Sequence, residues 1–355
     1  MSNNILFIHK TQFGYHTGSY KQCEYLRNNF NITFLCFESG RKIINLENVK
    51  VKYISNKGTR VWRGIIFLLT AMKLIISFKG VIFILYFDHC EVLKSLFPKK
   101  KMILDIRTLS ILPNKISRAK YDCQLRKACS YFDHVTVISE GVRSKLQLDE
   151  KKSSILPLGA DSISKSNKDF SELKLLYVGT LSGRHIEDTI NGFSSFCTLH
   201  PEIDKITYDI VGDGYENELN ELGDLVDSLG LSDTIKLHGR IPYDELQPFF
   251  EKCNIGVSYV PITEYYEYQP VTKTYEYVLS GMVCVATGTF ENKLVINTRN
   301  GIICKDEAKS FAEALETLFD NRGEYDSSII RMTLSDNTWD KIVEKRLLPI
   351  LKSNF

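Results

Sequence analysis

Short runs in which nearly every residue is apolar recur along this chain, and nothing constrains its folding more. ILFIH at 5–9, VIFILYF at 81–87, VTVIS at 135–139, LKLLYV at 173–178 and MVCVAT at 282–287 have no polar face. A strand of that kind has to be covered on both sides, which is the condition of a central strand in a parallel sheet. Less uniform runs at 32–37, 49–54, 101–106, 207–211, 235–237 and 255–260 also read as strands. Helical patterns fall between them, at about 19–28, 117–130, 186–199, 216–229, 243–253 and 308–319. Strand and helix in alternation predict an α/β chain with a doubly wound parallel sheet.

The alternation stops at SISKSNKDFS, 162–171, which is polar and aperiodic, and then restarts. That break reads as a linker. Since 355 residues exceed what one core usually supports, two Rossmann-like domains are expected, 1–163 and 172–335. A last helix at 338–352 has its own apolar pattern, so 336–355 is read as a segment returning toward the first domain.

Charge and cysteine content exclude some partners. Forty-five Lys and Arg against 43 Asp and Glu leave +2, too little to indicate a nucleic-acid binder. Nine cysteines without a CxxC pair fit a reducing cytosol better than a disulfide framework. MSNN runs straight into a strand with no secretion leader, so a cytoplasmic protein is expected. The stretch 61–78, VWRGIIFLLTAMKLIISF, is apolar but interrupted by Arg63 and Lys73, which argues against a spanning helix. A helix buried on most sides is expected there. The alternative is peripheral membrane contact through 60–79, with Arg60, Arg63, Lys73 and Lys79 at lipid headgroups and Lys99, Lys100 and Lys101 adding to the patch.

The chemistry concentrates in 259–287. Pro270 suits a first helical turn. Val271, Tyr275, Val278 and Leu279 form an apolar stripe, and Lys273, Glu276 and Ser280 lie on another face. Gly281 can end the helix in a left-handed conformation. Four loops of the second half lie at strand carboxyl ends: 179–184, 212–214, 238–241 and 259–271. In a parallel sheet they open on one edge, where α/β folds bind nucleotides. Arg184 can clamp phosphate, Lys273 adds a positive charge, and Glu276 can accept both hydroxyls of a ribose. Gly179 and Gly212 allow close backbone approach. Singly, each has a plain alternative: Gly212-Asp213-Gly214 a turn, Arg184 a solvated side chain, Lys273 and Glu276 a surface ion pair.

The order YVGTLSGR, IVGDGYENELNEL, IKLHGRIPYDELQPFFEKCNIGVSYVP, KTYEYVLSGMVCVAT and NGIIC resembles the donor-binding domain of GT-B glycosyltransferases, most closely glycosyltransferase family 4. The match spans about 173–320; LDIRTL, DHVTVISEGVRSKL and ILPLGAD extend it more loosely into the first half. The resemblance implies two Rossmann-like domains facing a cleft and retaining transfer from a nucleotide-diphosphate sugar without a metal or other cofactor. It implies a glycan or lipid-linked glycan acceptor, as in bacterial capsule, O-antigen or exopolysaccharide synthesis, at the inner face of the cytoplasmic membrane. Glu276 matches the family's ribose-binding glutamate, and Lys273 and Arg184 fall near its phosphate-binding positions. Arg240 and Gln269 lie in matching loops. Gly14 lies in the loop that approaches the diphosphate in this family, together with Tyr15, His16 and Thr17. Asp105 and Arg107 resemble a D-x-R pattern of some polysaccharide transferases, which implies an acid-base or acceptor-binding role; the alternative is a structural ion pair. Ser139 and Glu140 would line the cleft, whereas His134 and His238 read as structural.

The chain departs from the pattern at Tyr268, where the family has a glutamate facing the transferred sugar, and at Thr180, where it has an arginine. Two rival readings stay open: a nucleotide-sugar epimerase of GT-B fold, and a non-catalytic nucleotide-sugar-binding subunit.

Overall fold

The computed structural model describes residues 3–203, 205–215 and 217–353. Glu216, where the sequence starts a helix, and the outermost positions of the expected terminal segments lie outside the described residues. The chain divides into two compact units: residues up to Gly159 together with those from Trp339 onward, and Ala160–Thr338.

In the first unit β1 (Asn4–Ile8), α1 (Thr17–Leu26), β2 (Asn31–Glu38), β3 (Val49–Ser55), α2 (Arg60–Ser77) and β4 (Val81–Leu85) are followed by α3 (Glu91–Leu96), β5 (Met102–Ile106), α4 (Lys115–Cys129), β6 (His134–Val137), α5 (Glu140–Leu146) and β7 (Ser153–Ile155). The seven strands are parallel in the order β3-β2-β1-β4-β5-β6-β7. The apolar runs form its centre, and every residue of β4 and β5 is buried, as two-sided coverage demands.

α2 overturns the expectation of a helix buried on most sides. Phe67, Ala71 and Ile75 are buried, one stripe at four-residue spacing. Val61, Trp62, Ile65, Leu69 and Ile76 are exposed. A crossover helix meets its sheet along one face, and apolar composition alone does not say whether the other face has a neighbour. Among the described residues no helix is long and apolar enough to cross a membrane.

The second unit runs β8 (Leu173–Val178), α6 (Ile186–Leu199), β9 (Ile206–Val211), α7 (Glu218–Ser228), β10 (Ile235–Leu237), α8 (Gln247–Lys252), β11 (Ile255–Ser258), α9 (Thr272–Leu279), β12 (Val283–Thr287), α10 (Phe290–Val295), β13 (Gly301–Cys304), α11 (Ala308–Asp320) and α12 (Ser327–Thr333). Its parallel sheet has the order β10-β9-β8-β11-β12-β13. Strand order reverses between β8 and β11, so a crevice opens beyond the carboxyl ends of those two strands.

Two helix starts differ from the sequence reading. The helix expected over 243–253 is a 3₁₀ turn, Tyr243–Glu245, followed by α8. Pro248 lacks an amide proton and would clash with the preceding turn of a continuous helix. α9 begins at Thr272 with Val271 as an extended N-cap, leaving Pro270 outside. Gly281 ends it at φ +76, as its lack of a Cβ allows.

The polar stretch 162–171 is not a free linker. The Ser280 hydroxyl accepts the amides of Ile163 at 3.0 Å and Ser164 at 3.3 Å, and Ser327 accepts that of Lys168 at 2.8 Å. Asn254 donates to the carbonyls of Asp169 and Glu172 at 2.5 and 2.6 Å. Its polarity satisfies backbone groups held against the second unit.

The chain ends in α13 (Trp339–Ile342), a π turn (Val343–Leu347) and α14 (Leu348–Ser353), all in the first unit. Ile342, Val343, Leu347 and Leu351 join Ile5, Phe7, Phe34 and Phe83 in one buried cluster.

Candidate functional site

The four strand-end loops of the second unit are laced together. Gly179 donates its amide to Val211 at 3.0 Å and Leu181 to Asp213 at 2.8 Å, joining the β8 loop to the β9 loop. Gly212 donates to Gly239 at 2.8 Å, and Arg240 pairs with Asp213 at 3.4 Å, joining the β9 loop to the β10 loop. The Arg184 guanidinium lies 4.4 Å over the Tyr266 ring, joining the β8 loop to the 259–271 loop. Gly212 has no room for a side chain, since a Cβ there would stand 1.9 Å from the Gly179 carbonyl oxygen.

α9 rises into this edge with no side chain capping its N-terminus. Glu276, 2% exposed, is an internal residue of a helix buried on nearly all sides. Its Oε2 accepts from Lys273 Nζ, and its Oε1 accepts from the Tyr243 hydroxyl at 3.1 Å. Burial pushes the Glu276 carboxyl above its ordinary range and Asp161 adds to that, while Lys273 and Tyr243 oppose it. The pair is therefore a buried ion pair and not the surface pair that i,i+3 spacing also allows. Lys273 Nζ stands 5.0 Å from the centre of the Tyr243 ring.

The aromatic loop explains where the chain leaves the resemblance. Tyr268 packs against Phe290 with ring centres 5.2 Å apart and ring planes tilted by 49°. The adjacent acid, Glu267, accepts the amide of Phe290 at 2.5 Å and so caps α10. The carboxylate nearest the missing glutamate thus serves a helix end. Gln269 donates its amide to Tyr266 at 3.1 Å, closing the loop. Gly179, Arg184, Gly212, Arg240, Gln269, Lys273 and Glu276 all lie on this one edge.

Gly14, Asp105 and Arg107 belong to the first unit. Gly14 takes φ +90, and a Cβ there would lie 2.4 Å from Ile44. Asp105 is 1% exposed, inside β5, and accepts from Thr136 Oγ1 at 2.6 Å. It sits between β4 and β6 in the sheet, and its Oδ2 is buried without a hydrogen-bond partner. Arg107 lies 3.8 Å from it and donates to the Leu156 carbonyl at 2.7 Å. His16 caps α1, accepting the Ser19 amide at 3.1 Å. Ser139 caps α5, and Glu140 pairs with Arg143 at 2.5 Å.

Asp209 Oδ1 accepts from His238 Nε2 at 2.7 Å, and its Oδ2 accepts from Lys252 Nζ at 2.7 Å. Burial alone would raise the Asp209 carboxyl; the two bonds outweigh it and hold it below its ordinary range. A carboxyl depressed by folding contributes stability above its unfolded value, about 3.9, and that contribution is lost as pH falls through the folded value. Urea unfolding between pH 6 and 3 is expected to show the second unit weakening below about pH 4, and Asp209→Asn is expected to flatten that decline.

Sequence reasoning missed Tyr243 and Asp161. Asp161 ends the quoted ILPLGAD run, a usable signal, whereas Tyr243 reaches Glu276 only through the 3₁₀ turn.

Residues 172–321 match the family model described as glycosyl transferases group 1. No curated protein matches the chain. Among solved structures, Anabaena HepE in complex with UDP aligns at TM-score 0.74 and 14% identity, over 99% of this chain and 100% of that one. A glycosyltransferase from Rickettsia africae aligns at 0.76 and 13%, over 99% and 98%. The lipopolysaccharide outer core galactosyltransferase WaaB, in its apo form, aligns at 0.72 and 14%, over 99% of each chain. At such identities the likeness is one of fold, the GT-B fold of two Rossmann-like domains.

Proposed function

We propose that this chain, whose second unit carries a group 1 glycosyltransferase domain on a GT-B fold, transfers a sugar from a nucleoside-diphosphate sugar to a glycan or lipid-linked glycan. The observation that carries the reading is the Lys273–Glu276 pair at the uncapped start of α9, on the edge where three other strand-end loops meet. Glu276 accepts the ribose hydroxyls. Arg184 and Lys273 stabilise charge on the departing diphosphate, an electrostatic role. HepE is also known in complex with UDP-glucose, which favours a uridine donor here.

The transfer retains configuration. The bond from the sugar carbon to the β-phosphate oxygen breaks and the bond to the acceptor oxygen forms on the same face. The acceptor proton passes to the leaving phosphate, so no protein nucleophile is assigned. One observation favours a second reading, a non-catalytic nucleotide-sugar-binding subunit: Tyr268 stands where the family has its sugar-facing glutamate, and the adjacent Glu267 accepts the Phe290 amide.

The acceptor is lipid-linked, and α2 meets the inner face of the cytoplasmic membrane. The support is its outward stripe of Trp62, Ile65, Leu69 and Ile76, with Lys73 in the same row. From 57 to 120 there are 13 Lys and Arg against 3 Asp and Glu, which favours an anionic lipid surface.

The test combines thermal shifts over UDP, GDP and their sugars with nucleoside-diphosphate release in the presence of lipid extract. Release abolished by Arg184→Ala and Glu276→Ala supports transfer. Binding without turnover supports the subunit, interconversion of free nucleotide sugars would identify an epimerase, and no binding overturns the donor reading. Pelleting with vesicles containing phosphatidylglycerol, lost in the double variant Trp62→Asp with Leu69→Asp, checks the membrane contact.

A further inference from the structure

Glu276 reaches the edge of the second unit already satisfied. Lys273 occupies one carboxylate oxygen and the Tyr243 hydroxyl, 3.1 Å away, the other. The carboxylate is covered, at 2% exposure, while Tyr243 is 49% exposed. The tyrosine thus has its hydroxyl inside the site and much of its ring at the surface. It stands on a single 3₁₀ turn, Tyr243–Glu245, between an extended Pro242 and α8. No residue of that turn is buried, so the ring can swing aside without opening the core. Tyr277, by contrast, is 0% exposed, and its hydroxyl accepts the Val178 backbone amide from within the core. Asp161 places a second negative charge near both Tyr243 and Glu276, so an ionised Glu276 deprived of a donor would be poorly tolerated.

We propose that Tyr243 is a donor-site residue that stands in for the ribose: its hydroxyl holds the position on Glu276 that a ribose hydroxyl takes over when a nucleoside diphosphate binds. The inference rests on the assignment of Glu276 to the ribose. Binding is then an exchange of one hydroxyl for another, and part of the nucleotide's affinity is spent on displacing the tyrosine. The exchange keeps the carboxylate satisfied in both states, and it favours ligands with an intact 2′,3′-diol, because only these replace what leaves.

Removing the competing hydroxyl is the test. Tyr243→Phe keeps the half-exposed ring and its contact with Lys273 but leaves Glu276 short of one donor until ligand arrives. Calorimetric titration with UDP and GDP is expected to show about tenfold tighter binding by Tyr243→Phe than by wild type for whichever nucleotide binds. The gain is expected to disappear with the 2′,3′-dideoxy analogue of that nucleotide, a dependence that a merely structural role would not produce. Equal or weaker binding by Tyr243→Phe overturns the exchange. So does a large loss confined to Tyr243→Ala, which would make the ring a stacking platform for the base. Wild-type protein that binds neither nucleotide overturns the ribose assignment as well, which separates the two failures.

Discussion

Lys273→Ala is expected to lower the stability of the second unit by about 3–5 kcal/mol, because it strands a buried carboxylate. Glu276 is 2% exposed and would keep the Tyr243 hydroxyl alone, with Asp161 still nearby. For a unit of this size the loss corresponds to a fall in melting temperature of roughly 10 °C. Nucleotide binding should be lost with it. The double variant Lys273→Met with Glu276→Leu separates the two effects. Replacing a buried pair by apolar side chains of similar volume is often neutral or stabilising, so stability should return while binding does not. Urea unfolding followed by calorimetric titration reads both. A Lys273→Ala protein within about 1 kcal/mol of wild type would show that solvent, not Lys273, satisfies this carboxylate.

Gly212→Ala is the second large effect. A Cβ at Gly212 would stand 1.9 Å from the Gly179 carbonyl oxygen and 3.1 Å from its carbon. Both are backbone atoms, so no side-chain rotation relieves the clash. The β8 and β9 loops must separate, at the expense of the Gly179–Val211 and Gly212–Gly239 bonds. A loss of about 3 kcal/mol is expected from overpacking of this kind, with at least about a tenfold loss of nucleotide affinity, or about 1.4 kcal/mol. Gly223 is the control. It lies inside α7, and the nearest atom to a Cβ there is Leu237 Cδ1 at 3.9 Å. Gly223→Ala is expected to stabilise by about 0.5–1 kcal/mol through helix propensity. If both variants behave alike in urea unfolding, the close approach at Gly212 is not what holds these loops.

Sequence places Gly212 in a loop and Gly223 in a helix but does not show which backbone atom Gly212 meets, and the contrast marks what local pattern can carry. Strand identity was legible because VIFILYF or MVCVAT has only one stable setting, the middle of a covered parallel sheet. The convergence of four loops followed from parallel topology alone. Helix starts were less legible: Pro270 suited a first turn but stands outside α9, and Pro248 divided a helix that periodicity ran together. At 162–171 polarity marks either solvent or a partner, and here the partners are Ser280, Ser327 and Asn254.

By itself the sequence determined the α/β class, the repeated doubly wound pattern and the edge on which Arg184, Lys273 and Glu276 gather, since periodicity and chain order suffice for these. Tertiary structure alone decided the burial of each group. It put Asp105 inside a sheet, left the outer stripe of α2 uncovered, turned Glu267 to the end of α10 and set the Tyr243 hydroxyl on Glu276. Burial and partnership depend on what lies across the fold, and no local spacing encodes a neighbour that is far away along the chain.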